Sequence, residues 1–191
     1  LIVMCPYTEG KSEGGLGSIA HAILVNTPCP IVLVPAGRGP RPWSLRYLLL
    51  PHDGTPTSAI AIRPMTDLAH RAHACVTVLH VATAAAAPSE ESGTFAVPRY
   101  LDQPHHEWPA WSREFLQRAC TSVKPPSQLT LRTVFCTEGI GEAIVRFASQ
   151  HETDLIALGW RRHLEPLRAR TLRTVILQAH CPAMIYPVSG H

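Results

Sequence analysis

The stretch Asn26-Thr27-Pro28-Cys29-Pro30-Ile31-Val32-Leu33-Val34-Pro35 has a counterpart in Gln178-Ala179-His180-Cys181-Pro182-Ala183-Met184-Ile185-Tyr186-Pro187, with the two Cys-Pro pairs 152 residues apart. That offset is about one domain length. Upstream, Leu1-Ile2-Val3-Met4-Cys5 matches Leu155-Ile156-Ala157-Leu158-Gly159 at an offset of 154, so the connection is two residues shorter in the second copy. The repeat predicts the closing strand, helix and strand of a first domain over residues 1–37, a linker over 38–45, and a complete domain over 46–191. A chain that starts inside a strand without Met is expected to be a fragment of something longer.

With 191 residues and 46% hydrophobic content, the chain can bury one substantial core, which excludes disorder throughout. No apolar run reaches the ~18–20 residues that a membrane span needs, and Leu1 to Met4 is too short for a secretion signal. A soluble, cytoplasmic chain with no membrane insertion of this segment is expected. The net charge is only +3, with no Lys/Arg run of the length that a nucleic-acid arm needs. Six cysteines occur without a CxxC pair. They read as small buried thiols in a reducing cytosol rather than as disulfides or metal ligands.

From Arg46 onward, short apolar runs alternate with helical periodicity, the pattern of βαβ units around a parallel sheet. Tyr47 to Pro51 is a first strand. Asp53-Gly54-Thr55 makes a turn, Thr55 suits an N-cap, and Pro56 suits the first helical position. A helix follows to about Arg71, interrupted near Pro64, and Val76 to Val81 is a second strand. Ala82 to Pro104 reads as a long loop, and Glu107 to Ser122 as a helix with Trp111, Phe115, Leu116 and Ala119 on one face. Leu129 to Cys136 alternates, which suits a sheet edge. Ile140, Ile144, Phe147 and Ala148 form a helical stripe, Leu155 to Leu158 a buried strand, and Leu172, Val175, Ile176 and Ala179 a second stripe. Ala183 to Pro187 closes the domain.

Four stretches in this order resemble the universal stress protein family: Leu50-Pro51-His52-Asp53-Gly54-Thr55, Val78-Leu79-His80-Val81, Asp154-Leu155-Ile156-Ala157-Leu158-Gly159 and His180-Cys181-Pro182. Gly17-Ser18-Ile19-Ala20 and Pro28-Cys29-Pro30-Ile31-Val32-Leu33-Val34 match the family's closing helix and strand. The resemblance implies an α/β fold, an open parallel five-stranded sheet of order 3-2-1-4-5 with helices on both faces, like the adenine nucleotide alpha hydrolases. Its ligand crevice would lie between the carboxyl ends of strands one and four. The implied nucleotide-binding positions are Asp53, Gly54, Val81, Gly159, Arg162 and Arg170, with Gly17 and Ser18 as a remnant in the first copy.

Nucleotide-binding members resemble one another in a Gly-x-x-Gly loop, then nine residues and Gly-Ser or Gly-Thr. Glycines there let the backbone approach phosphates, and the next helix offers free N–H groups. This chain departs from that pattern. Gly159 is present, but Arg162 stands at the second glycine, Ala169-Arg170 replaces Gly-Ser, and the loop is about three residues short. In the first copy Gly17-Ser18 is present, while Cys5-Pro6-Tyr7-Thr8 replaces Gly-x-x-Gly. Arg161, Arg162, Arg168, Arg170 and Arg173, opposed by Glu165, form either a substitute anion site or a solvated basic loop. Asp53 either faces adenosine or closes its turn.

His105-His106-Glu107 reads as solvated loop rather than a metal site, and Trp108 and Trp111 as packing. No Ser/His/Asp, Cys/His or paired-carboxylate arrangement has a supporting sequence context, so no catalytic residue is named. The resemblance implies a regulatory stress-response module that is not an enzyme, with weak or lost ATP binding. The alternatives are a cytosolic regulatory domain of a cation/proton antiporter or other transporter and, lower, an adenine-nucleotide-dependent enzyme. The equivalent last strands, Ile31 to Val34 and Ala183 to Tyr186, are expected to pair antiparallel, within one chain or between chains. A homo-oligomer or a missing first-domain segment would then cover the incomplete copy.

Overall fold

A computed structural model describes residues 1–6, 15–36, 43–83, 92–94, 114, 129–136, 139–162 and 169–188. Of the loop expected over Ala82 to Pro104, Ala82 and Thr83 belong instead to a strand, and 84–91 and 95–104 lie outside these residues, as do 38–42 of the expected linker, most of the expected helix at 107–122, His105 to Glu107, Trp108, Trp111, Glu165 and Arg168.

The first copy contributes β1 (Ile2–Met4), α1 (Ser18–Asn26) and β2 (Ile31–Leu33). After it come β3 (Tyr47–Pro51), α2 (Pro56–Ala59), α3 (Ile62–Ala72), β4 (Cys75–Thr83) and β5 (Leu129–Cys136). The chain then forms α4 (Ile140–Gln150), β6 (Leu155–Trp160), α5 (Arg170–Gln178) and β7 (Ala183–Pro187).

All seven strands lie in one sheet of order β1-β2-β7-β6-β3-β4-β5. The five strands from β3 to β7 are parallel in the order 3-2-1-4-5, as the family resemblance implies. Two more strands extend that sheet. β2 joins β7 antiparallel, with Ile31 opposite Ile185, Val32 opposite Met184 and Leu33 opposite Ala183. Val32 and Met184 are counterparts in the repeat, so a local two-fold axis passes between them.

Alternate residues of the central strands serve opposite faces, as the pleat requires. Leu48, Leu50, Val76, Val78, Leu155 and Ala157 pack with Ile62, Met65 and Ala69 of α3. On the other face Leu49, Ile156, Leu158 and Ile185 pack with Ile144 and Phe147 of α4, Leu172 and Val175 of α5, and Leu24 of α1. Burying each such side chain contributes about 1.5–3 kcal/mol.

Three local expectations are corrected. The helical break falls at Ile60–Ala61, between α2 and α3, not at Pro64 itself. Pro64 sits in the first turn of α3, where its missing N–H is harmless, but its ring would clash with the carbonyl four residues earlier in a continuous helix. Cys5 and Cys29 are exposed thiols, whereas Cys181 is buried. Cys29 and Cys181 share a local sequence, but only Cys181 lies in the apolar core that α4 and α5 build. Ile140, at the start of the expected buried stripe, is 39% exposed, because it stands at the mouth of a cavity.

Candidate functional site

The cavity, about 250 Å³, opens where β3 and β6 end side by side. At this point the chain leaves β3 for α2 and α3 on one face, and leaves β6 for α5 on the other. That divergence leaves a crevice that neither crossover fills. Val81, Ile140, Ile144, Leu158 and Leu172 supply apolar walls, and Asp53, Ser58 and Thr171 bring polar groups to the lining.

The polar side is built by the turn after β3. Gly54 has φ of 86°, a left-handed conformation that a glycine adopts without a Cβ clash. The turn directs the Gly54 N–H at His52 Nδ1, 2.9 Å away. Nδ1 therefore accepts, and the imidazole proton belongs on Nε2. Thr55 caps α2 by accepting the Ser58 N–H at 3.2 Å, with Pro56 at the first helical position. Asp53 Oδ1 accepts from Thr55 Oγ1 at 2.6 Å, Ser58 Oγ at 2.7 Å and the Thr55 N–H at 3.0 Å.

These contacts set the charges. Burial pushes the Asp53 carboxyl upward, but the hydrogen bonds from Thr55 and Ser58, helped by the nearby His52, outweigh it and hold the acid below its ordinary value. Burial lowers His52 to about 4; Asp53 opposes this shift and His80 adds to it. Burial also lowers His80, against its bond to the His52 carbonyl and the Asp53 charge. His80 Nδ1 lies 2.9 Å from that carbonyl oxygen, which can only accept, so His80 carries its proton on Nδ1. At neutral pH the site thus presents one carboxylate beside two neutral imidazoles.

Ser58 Oγ is 3.1 Å from His52 Nδ1 and 2.7 Å from Asp53, a proximity of Ser, His and Asp that the sequence reading does not anticipate. The signal was available: Ser58 stands three residues after a capping Thr, where a helical turn brings it back over the loop. The group is a poor proton relay. His52 Nδ1 already takes the Gly54 N–H, and a base near 4 is weak at neutral pH.

Of the residues named from sequence, Asp53, Val81 and Gly159 line the cavity. Gly54 supports it from the turn. The space a Cβ would need at Gly159 is taken by the Thr57 carbonyl, so this glycine serves the close approach of α2 to the end of β6. Arg162 has φ of 65°, the left-handed conformation for which a glycine is suited. Neither Arg162 nor Arg170 is among the lining residues. Arg170 points a guanidinium nitrogen to within 3.9 Å of Glu142 on α4, so Glu165 is not the sole counter-charge of the basic loop. Arg161 Nε donates to Thr57 Oγ1, bridging the loop to α2. Gly17 and Ser18 begin α1, away from this cavity.

Trp160, which sequence reasoning leaves unassigned, lines the cavity and is buried. Its indole N–H donates to the Leu24 carbonyl of α1 at 3.3 Å. The cavity wall is thereby anchored to the first copy. Among the described residues no cluster of three or more His, Cys, Asp or Glu could hold a metal ion, and no helix is long and apolar enough to cross a membrane.

The model of the universal stress protein family matches residues 45–187. The chain belongs to that family. A universal stress protein from Archaeoglobus fulgidus superposes with a TM-score of 0.66 at 12% identity, over 97% of this chain and 61% of its own. A universal stress protein from Pseudomonas aeruginosa UCBPP-PA14 gives 0.64 at 16% identity, over 97% of this chain and 62% of its own. A universal stress protein solved in complex with cAMP gives 0.53 at 17% identity, over 76% of this chain and 99% of its own. No curated protein sequence matches the chain.

Proposed function

We propose that this member of the universal stress protein family is a cytoplasmic regulatory binding module, not a catalyst, whose cavity takes an adenosine-type ligand and holds its phosphates weakly. The observation that carries this reading is the asymmetry of the cavity. One end has apolar walls and a fixed carboxylate, suited to a flat base and ribose hydroxyls. The end expected to hold phosphate has Arg162 in a glycine conformation, and the Thr57 carbonyl stands against Gly159. Asp53 Oδ1 is occupied by three donors, which fixes the carboxylate for a ligand hydroxyl or amine at its other oxygen. A neighbour of the same fold bound to cAMP makes an adenine ligand with a single phosphate a natural probe.

The test is calorimetric titration with adenosine, cAMP and ATP at two salt concentrations. Binding of all three, with ATP gaining less than about tenfold over adenosine and losing that gain as salt rises, is the expected outcome. Tight, salt-insensitive ATP binding would show a working phosphate cradle and refute the reading. Turnover of ATP under single-enzyme-excess conditions would refute the non-catalytic part.

A further inference from the structure

Trp160 presents carbon to the cavity, because its one polar group is engaged on the other side. The strand order β4-β3-β6 places Val81 and Trp160 on opposite sides of the turn that carries Asp53 and Ser58. Trp160 shares its side with Leu158 of the same strand and with Thr171 and Leu172 of α5. It is 6% exposed, and its indole N–H donates to the Leu24 carbonyl at 3.3 Å. That carbonyl needs a donor from outside its helix. Leu24 lies in the last turn of α1, and the residue four positions on, Pro28, has no N–H to give. The indole supplies the missing bond, which fixes the ring as a rigid apolar wall.

Charge around this side is balanced. Among the described residues no arginine or lysine lines the cavity. Arg170, next to Thr171, has a guanidinium nitrogen 3.9 Å from Glu142, which follows Ile140 of the cavity mouth by two positions. A phosphate reaching out of the cavity meets that carboxylate beside the guanidinium, so the pair gives it little net attraction. A phosphate held inside would give up its water to face carbon. The volume of about 250 Å³ is also below the ~300–1,000 Å³ of pockets that enclose drug-sized ligands, so a nucleoside leaves space for a short extension only.

We propose, resting on the adenosine reading above, that the cavity selects a nucleoside whose 5′ group is short, apolar and uncharged, a 5′-thioether in particular, and that Trp160 is the residue that recognises this group. With the ribose hydroxyls at Asp53, the 5′ position is turned toward β6 and α5, where Trp160, Leu158 and Leu172 receive its substituent. The same position carries the phosphate of a nucleotide, so the two kinds of substituent compete for one end of the cavity. A divalent sulfur suits this end: it carries no charge, is polarisable, and makes favourable contacts with an aromatic ring.

The test is calorimetric titration of the 191-residue chain at physiological salt with adenosine, 5′-deoxyadenosine, 5′-methylthioadenosine and adenosine 5′-monophosphate. 5′-Methylthioadenosine should bind about tenfold tighter than 5′-deoxyadenosine, the gain from burying two more apolar heavy atoms, and the monophosphate no tighter than adenosine. Trp160→Leu should bring the tenfold ratio to about threefold or less. Glu142→Gln should raise the affinity for the monophosphate relative to adenosine by about threefold at low salt, because Arg170 then lacks its counter-charge. The ligand series on the unmodified chain decides the question whether or not the Trp160 variant folds. Equal binding of 5′-methylthioadenosine and 5′-deoxyadenosine, or a monophosphate that binds more tightly than either, would overturn the proposal while adenosine binding leaves the broader reading in place. An unchanged ratio in a folded Trp160→Leu protein would overturn the role of Trp160. Binding of none of the four ligands would overturn both readings.

Discussion

His52 should make the fold sensitive to acid well above the pH at which carboxylates protonate. Its imidazole is buried and neutral, with its basicity lowered from 6.5 to about 4. A base that is weaker in the folded state takes up more protons when unfolded. Between pH 6.5 and 4 the unfolded state binds the extra proton, so its contribution is complete above 6.5 and is lost as pH falls through that window. At about 1.4 kcal/mol per pH unit across that interval, the loss is roughly 3 kcal/mol, a large share of the 5–15 kcal/mol by which domains are stable. His80 is shifted in the same direction and adds to the slope. Asp53 acts in a separate window, since an acid held below its ordinary 3.8 gives up its contribution only at more acid pH.

The perturbation is His52→Asn, whose amide oxygen can still accept the Gly54 N–H but does not titrate. Urea unfolding curves from pH 7 to 4.5 give the free energies. The unmodified protein should lose about 2 kcal/mol over that range from His52 alone, and the variant should lack that part of the slope. Parallel curves for the two proteins would show that His52 is not held neutral by burial. The chemical shift of the His52 ring checks the same point directly, with no protonation expected above pH 5.

Gly159→Ala sets a Cβ against the Thr57 backbone and should cost on the order of 1–3 kcal/mol by thermal unfolding, with weaker adenosine binding. Arg162→Gly removes the left-handed strain and should stabilise the fold by up to about 1 kcal/mol, the gain being reduced by the greater freedom of glycine when unfolded. Trp160→Ala should cost about 3–5 kcal/mol and also speed exchange of the α1 amides, because the indole spans from β6 to Leu24. Unchanged exchange in α1 would mean that the Trp160 indole does not hold α1 to the second copy, and that the apolar core around Leu24 and the pairing of β2 with β7 do.

What the sequence made legible is what local chemistry decides. β3 and β6 could be read because central parallel strands are buried on both faces and appear as apolar runs, and β4 because Thr77 and His80 interrupt its run only singly. The turn from Asp53 to Pro56 could be read because each residue there acts within three positions of itself. The misreadings share a different cause. Pro64 acts on the carbonyl one turn earlier, so the break lies before it. Cys29 and Cys181 hold equivalent positions in the repeat, each before a proline, and have opposite exposure, since only the second copy carries the elements that enclose the site. Trp160 and Leu24 are 136 positions apart, so no local pattern could reveal their bond.

The repeat itself separates fold from ligand. β1 with β2 and β6 with β7 keep one register, and the paired positions are apolar in both. Around the crevice the copies part: Cys5 against Gly159, Gly17 against Ala169, Ser18 against Arg170, and Ile19 against Thr171. Each pair occupies the same place in the repeat, so side-chain volume and charge change where a ligand would touch, and the backbone turns differently as well, with ψ of 150° at Gly17 and 6° at Ala169. Packing requires only apolar bulk at a fixed register, which many residues satisfy. A phosphate needs accessible N–H groups at a few positions, which a single side chain can obstruct. The fold can therefore be read from resemblance alone, whereas the ligand must be read from those few positions, and the proposed preference for a base and ribose over a triphosphate rests on those of the second copy.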